Sequence, residues 1–236
     1  MAEERIQDMK CASCPTRKLS VFKNLNSEEV EALCSNKHFK PLDRGEEIIH
    51  EGQYLKGVYC IQSGHFKLIA HSSNGRDTIV RFASPGDLIG YRSLLADEPV
   101  TVSVIALDDA SACYVPREVL LNFLKENGPF SFEILQETCH ELSEANKLLA
   151  SLARKKVKER LAEVLLMLRA KFGEDDNGGI AIDLKRQELA DLVGTATESL
   201  IRLLSQLEKD GIIERVGKRF KVLDVQELTH LAIITD

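Results

Sequence analysis

The chain has 236 residues and a formal charge of −6, with 44 % hydrophobic and 29 % charged residues. At roughly 100–200 residues per domain, this suits one large or two small domains, and the composition excludes disordered and collagen-like chains. Apolar runs such as Leu231–Ile234 fall far short of a bilayer span, and the charged start MAEERIQDMK does not read as a secretory signal. We therefore expect a cytoplasmic protein with no membrane partner, its six Cys being free thiols or metal ligands rather than disulfides.

Residues 1–20 read as an N-terminal tail carrying Cys11-Ala12-Ser13-Cys14-Pro15. A short helix should follow the cap signal Asn26-Ser27-Glu28-Glu29. From about Phe39 to Val115, short apolar runs alternate with glycines (Gly45, Gly52, Gly57, Gly64, Gly75, Gly86, Gly90), and Ser73-Asn74-Gly75-Arg76 is a hairpin signal. This texture predicts an all-β roll or barrel. After Pro116 the pattern turns helical. Leu135, Thr138, Leu142, Ala145, Leu149 and Leu152 recur at spacings of three and four, the seam of a helix that pairs with another helix or lies on its own barrel.

The charge is divided unevenly. Residues 154–221 hold 15 Lys/Arg against 12 Asp/Glu, a surplus of +3, whereas the rest holds 16 against 25, a deficit of −9. In this basic part a helix runs through Leu161, Leu165 and Leu168, and Gly173 to Gly179 forms an acidic polar loop. Two short helices are expected at 185–193 and 197–209, with Gly211 at a C′ position and a hairpin around Gly217.

The two short helices are joined by Gly194-Thr195-Ala196, a helix-turn-helix pattern. Leu189, Ala190, Leu192 and Val193 can pack on Leu200, Leu203, Leu204 and Leu207. That leaves Thr197, Glu198, Ile201, Arg202 and Ser205 outward. Glu198 and Arg202, four apart, project from one face and could brace each other. Arg can fork onto guanine O6 and N7, and Glu can accept from cytosine N4. The alternatives are a capping box for Glu198 and a solvated ion pair for Arg202. Arg215, Lys218, Arg219 and Lys221 cluster on the following hairpin, where phosphates would lie.

Lys185-Arg186-Gln187-Glu188-Leu189-Ala190, Thr197-Glu198-Ser199-Leu200-Ile201-Arg202-Leu203-Leu204 and Gly211-Ile212-Ile213 resemble the CRP/FNR family of bacterial transcription regulators. Gly45-Glu46, Gly64 and Gly86-Asp87-Leu88-Ile89-Gly90 match it more loosely. The resemblance implies an α+β fold: an N-terminal cyclic-nucleotide-binding-type β-roll (21–128), a long dimerisation helix (129–153) and a C-terminal winged helix-turn-helix (154–236). By the same resemblance Glu198 and Arg202 read bases, and Arg186, Gln187 and Ser199 contact phosphates; Thr197 and, on the hairpin, Lys218 are further candidates for positioning the DNA. The resemblance also implies that the 173–179 loop touches RNA polymerase, although its acidic run reads equally as a solvated loop, and that a homodimer binds a pseudo-palindromic site with a TGA-like core. Thr197 stands where the cAMP-binding branch carries another base-reading Arg.

A buried cyclic phosphate needs an Arg and its ribose a carboxylate. The cAMP-binding members supply a Glu just after the Gly matching Gly90 and an Arg-Ser pair later. Here those places hold Tyr91 and Val100-Thr101, so cAMP is not expected. Cys11, Cys14 and Cys113 match three of the four ligands of the oxygen-sensing branch, which holds an iron–sulfur cluster, and Ser20 stands in the remaining place. Such clusters normally take four thiolates. Zinc binding, redox switching and inert thiols are the other readings of these cysteines, and Cys34 could substitute only if the tail folds differently. Cys60 and Cys139 read as core residues. The six His are scattered, and no nucleophile elbow or phosphate-binding GxxxxGK[ST] occurs, so no enzyme is expected. The expectation is a homodimeric DNA-binding regulator without a firmly assigned cofactor. The rivals are a thiol or iron–sulfur sensor of the FNR type and a small-molecule module that does not bind DNA.

Overall fold

The computed structural model describes residues 9–71 and 77–233; the hairpin signal at 73–76 and the first eight residues lie outside them. By internal packing the chain forms two units, Met1–Leu142 and Ser143–Asp236.

The first unit begins with a short helix α1 (Pro15–Leu19), a 3-10 turn (Val21–Asn24) and α2 (Ser27–Asn36). Helix α2 starts where the sequence says it should. Asn26 Oδ1 accepts from the Glu29 amide at 2.9 Å, and Glu29 Oε2 accepts from the Asn26 amide at 2.8 Å, a reciprocal capping box. There follow β1 (His38–Leu42), β2 (Glu47–Ile49), β3 (Gly57–Ser63), β4 (Phe66–Ala70), β5 (Thr78–Ala83), β6 (Leu88–Ile89), α3 (Tyr91–Ala96), β7 (Ser103–Ala106), β8 (Ala110–Pro116), α4 (Arg117–Glu126) and α5 (Gly128–Arg154), whose residues from Ser143 onward belong to the second unit. The strands form two antiparallel sheets, β1-β8-β3-β6 and β2-β7-β4-β5. Ile49, Ile61, Phe66, Ile89 and Val104 fill one core cluster. At the turn from β3 to β4 only glycine fits: Gly64 has φ +75°, and a Cβ there would sit 2.5 Å from Ala110 Cβ.

A second core cluster joins Phe22, Leu33, Val58, Leu120, Phe123, Phe130 and Ile134, and Cys11 belongs to it. Thr16 and Ser20 are also buried. The described part of the expected tail therefore folds onto the roll. Its short apolar residues are spaced too irregularly to announce this, and the burial comes from partners far along the chain.

Helix α5 turns one side to its own roll, through buried Phe130 and Ile134. Its Glu141 pairs with Arg81 of β5 and with Arg92 of α3, the latter at 3.2 Å. The leucine line faces elsewhere: Leu135, Leu142 and Leu149 are 57, 62 and 64 % exposed, and Leu152 is 40 % exposed. Ala145 is exposed with them, while Thr138 is half-buried and its hydroxyl donates to the Ile134 carbonyl at 2.7 Å. Lying on the roll and presenting an apolar stripe are thus properties of different faces of this helix.

The second unit contains α6 (Val157–Phe172), α7 (Arg186–Val193), α8 (Thr197–Lys209), β9 (Ile213–Val216), β10 (Arg219–Val222) and α9 (Val225–Ile233). Leu161, Leu165, Val193, Leu200, Leu207 and Leu228 are almost fully buried in it. Strands β9 and β10 pair antiparallel, with Gly217 at φ +62° in the turn.

Candidate nucleic-acid interface

The geometry of the helix-turn-helix follows from three local devices. Glu188 Oε2 accepts from the Lys185 amide at 2.8 Å and fixes the start of α7. Gly194 ends it with φ +69°, a conformation most L-residues avoid. Arg160 of α6 then donates to the carbonyls of Val193 (2.8 Å) and Gly194 (3.1 Å), placing a cation on the otherwise unpaired end of α7. Sequence inspection misses Arg160. It is one of several basic residues entering α6, and only its tertiary partners distinguish it.

Helix α8 is strongly two-sided. Leu200, Leu204 and Leu207 are buried, with Leu203 partly covered, while Glu198, Ile201, Arg202 and Ser205 are exposed and Thr197 and Ser199 are half-exposed. The capping box anticipated at Thr195–Glu198 does not form, because Ala196 is the N-cap and no side chain caps the helix. Glu198 is therefore not committed to local backbone. The Glu198–Arg202 ion pair does not form either: Arg202 instead reaches Ser199 Oγ at 3.4 Å. Gln187 joins the two helices of the motif. Its side-chain oxygen accepts from Thr197 Oγ1 at 2.6 Å, and its amide donates to Asp191 at 2.7 Å.

The hairpin charges divide into two kinds. Arg215 and Lys218 are exposed, and Arg215 donates to the Gly217 carbonyl at 3.1 Å. Arg219, grouped with them by sequence, is instead held inside the unit. Its guanidinium bonds Asp183 at 2.7 Å and Asp175 at 2.8 Å. Asp175 also accepts from the Asn177 and Gly179 amides, so part of the acidic 173–179 run builds its own turn. The Arg219 guanidinium, then the Gly179 amide, hold the Asp175 carboxyl below the usual carboxylate range. Arg186 stacks on Phe220 at 4.3 Å from the ring centre.

The cysteines show a different pattern. None of the six is in a disulfide. Cys11, Cys14, Cys60 and Cys113 line one cavity of about 30 Å³, together with Gln62 and others. Cys60 and Cys113 stand opposite each other across β3 and β8. Cys34 accepts from the Cys11 amide at 3.4 Å. Burial, and then the neighbouring Cys34, push the Cys11 thiol up to about 12; burial, and then Cys113, push the Cys60 thiol up as well. Cys60 packs, as expected, against a core cluster, where it lies beside the N-terminal cysteines, whereas Cys139, also expected in the core, is exposed on α5. Among the described residues no three His, Cys, Asp or Glu side chains are arranged to hold a metal ion as they stand. Where cAMP would need a carboxylate and an Arg, Tyr91 and Val100 are buried and Thr101 is exposed.

A roll of two four-stranded sheets, a long helix with an exposed leucine line and a winged helix-turn-helix are the parts of a DNA-binding regulator that carries a cyclic-nucleotide-binding-type domain. Residues 39–127 match the cyclic nucleotide-binding domain family, and residues 159–231 match the Crp-like helix-turn-helix domain family. The chain is 26 % identical to the fumarate and nitrate reduction regulatory protein of Vibrio cholerae, covering 98 % of this chain and 95 % of that one. It is 27 % identical to a CRP-like cAMP-activated global transcriptional regulator of Mycobacterium tuberculosis, covering 90 and 96 %. The crystal structure of FixK2 from Bradyrhizobium japonicum is similar with a TM-score of 0.74 and 26 % identity, covering 85 % of this chain and 99 % of that one. The chain belongs to the CRP/FNR family and is a DNA-binding transcription regulator. This sets aside the module that does not bind DNA. Relatives of both named kinds match about equally well, so similarity alone does not select the effector. No helix among the described residues is long and apolar enough to cross a membrane.

Proposed function

We propose that the protein is a cytoplasmic homodimer that reads a pseudo-palindromic DNA site through Glu198 and Arg202. The observation that carries this reading is the outer face of α8, where both side chains are exposed, Glu198 does not cap the helix and Arg202 reaches Ser199 of its own helix. Arg202 forks onto guanine and Glu198 accepts from cytosine. Thr197, Gln187, Ser199, Arg186 and Lys218 flank them as contacts to the DNA backbone. The exposed leucine line of α5 pairs with its copy in a second chain, presenting two recognition helices about 34 Å apart. RNA polymerase is the further partner, met by the 173–179 loop, whose shape is fixed by Asp175 and Arg219.

The test is fluorescence anisotropy with a selected operator. Arg202→Ala costs about 1–3 kcal/mol on that operator and relaxes specificity at one base pair. An unchanged affinity overturns the base-reading role.

The effector of the roll is not cAMP in this reading, because Tyr91 and Val100 sit in the core where a carboxylate and an Arg are needed. A calorimetric titration with cAMP should show no binding heat. The thiol-lined cavity favours a second reading, in which the roll responds to oxidants or to a thiolate-bound metal centre at Cys11, Cys14 and Cys113. The donor set suits such a centre, since the cavity is edged by sulfur and no carboxylate lines it. An iron–sulfur cluster, when bound, supplies sensitivity to oxygen and redox state. DNA affinity measured with and without air tests this reading, and indifference to air, thiol state and metal contradicts it.

A further inference from the structure

The chain supplies Ser20 where the resemblance requires a third N-terminal thiolate, so three cysteines alone leave the set one donor short. The fold brings a fourth sulfur to the same place. Cys60 and Cys113 are register partners on neighbouring antiparallel strands, so both project from one face of the sheet. The segment carrying Cys11 and Cys14 crosses that face, and all four residues line the one cavity. The buried Ser20 hydroxyl donates to the Arg17 carbonyl and accepts from the Phe22 amide, and it lies near enough to the Cys60 sulfur to influence that thiol. Cys60 therefore lies against the very residue whose thiolate is missing. Cys34 lies beside both the amide and the thiol of Cys11 but does not line the cavity.

We propose that Cys60 completes a four-thiolate metal site with Cys11, Cys14 and Cys113, standing in for Ser20. The inference deepens the thiol-sensor reading above and rests on it. The shared ligand chemistry is that of a thiophilic centre, for which a zinc ion and an iron–sulfur cluster are the two sources. The Cys11-x2-Cys14 spacing suits either, and the cavity has about the volume of one water molecule, enough for a single ion without rearrangement of the strands. As the structure stands no three of these side chains are arranged to hold an ion, so metal binding requires the Cys11–Cys14 turn to move toward the pair on β3 and β8.

The experiment uses the full chain, purified anaerobically and loaded either with Zn²⁺ alone or with ferrous iron and sulfide. Metal content is read by mass spectrometry, and the cluster by visible absorbance. Wild type should take up one centre. Zinc uptake without chromophore identifies a single ion, and a sulfide-dependent chromophore identifies a cluster; either supports the site only if Cys60→Ser weakens it by more than about tenfold. Cys60→Ser and Cys113→Ser should weaken binding by more than about tenfold, and Cys34→Ser and Cys139→Ser should leave it intact. The double variant Ser20→Cys, Cys60→Ser should recover binding, which separates a lost ligand from a misfolded roll. Full metal retention in Cys60→Ser, loss in Cys34→Ser instead, or no uptake by wild type overturns the proposal. DNA anisotropy of the same samples separates the two claims: a bound centre without effect on DNA affinity keeps the site and removes the sensing, whereas thiol-dependent DNA binding without metal does the reverse.

Discussion

The outer face of α8 and the cavity under the N-terminal segment handle their reactive groups in opposite ways. On α8, Glu198 and Arg202 are exposed on the side opposite a buried leucine row. Under the N-terminal segment, Cys11 and Cys60 are withdrawn from water, and burial is the largest influence on both thiols. A surface that reads DNA must be exposed before its partner arrives. A site that responds to a small reactant can be assembled from distant pieces and kept covered.

The largest effect should come from removing the surface between copies. Leu142→Glu puts a charge in the middle of the leucine line, and the dimer should dissociate in sedimentation experiments. Affinity for the full palindrome then falls by about 10²-fold or more as the two half-sites lose their linkage. A dimer that survives this change shows that the line serves another partner. Next, Leu200→Ala empties a fully buried position beneath the reading face. It should cost about 2–5 kcal/mol, and calorimetry should show the loss in the winged-helix unit while the roll keeps its own transition.

A smaller effect separates the wing from the reading face by pH. Arg219 holds the Asp175 carboxyl below its ordinary range, so the pair stabilises the folded unit above the usual carboxylate pKa. That contribution is lost as pH falls through the usual value toward the lowered one. Asp175→Asn should flatten this acid limb of stability while leaving the DNA affinity of the folded protein near neutral pH largely unchanged. The smallest change is Lys218→Ala at the hairpin tip. Binding should weaken similarly for all sequences, with the salt slope reduced by about 1. A sequence-selective loss would instead mark Lys218 as a reader of bases.

Legibility from sequence followed the range of the interactions. Helices α2, α7 and α8 and the β9–β10 hairpin were readable because caps, the Gly194 turn and three-four spacing act within a few residues. The outward set on α8 was readable for the same reason. What stayed hidden depends on contacts between distant residues. The segment around Cys11 folds because its partners include Leu33, Val58 and Leu120. Cys60 and Cys113 meet because of a strand register across 53 positions of sequence. Arg219 leaves the phosphate-binding set because Asp175 and Asp183 lie within reach only after folding. Arg160 and Arg202 look alike in the sequence, yet one holds a helix end and the other is offered to solvent.

The most direct check is an in vitro selection from random duplexes with the purified protein, repeated with Arg202→Ala. Our account predicts an inverted repeat with a G·C pair in each half-site, replaced in the variant by tolerance of any base at that one position. Identical enriched sequences from the two proteins, or no enrichment by either, would contradict it.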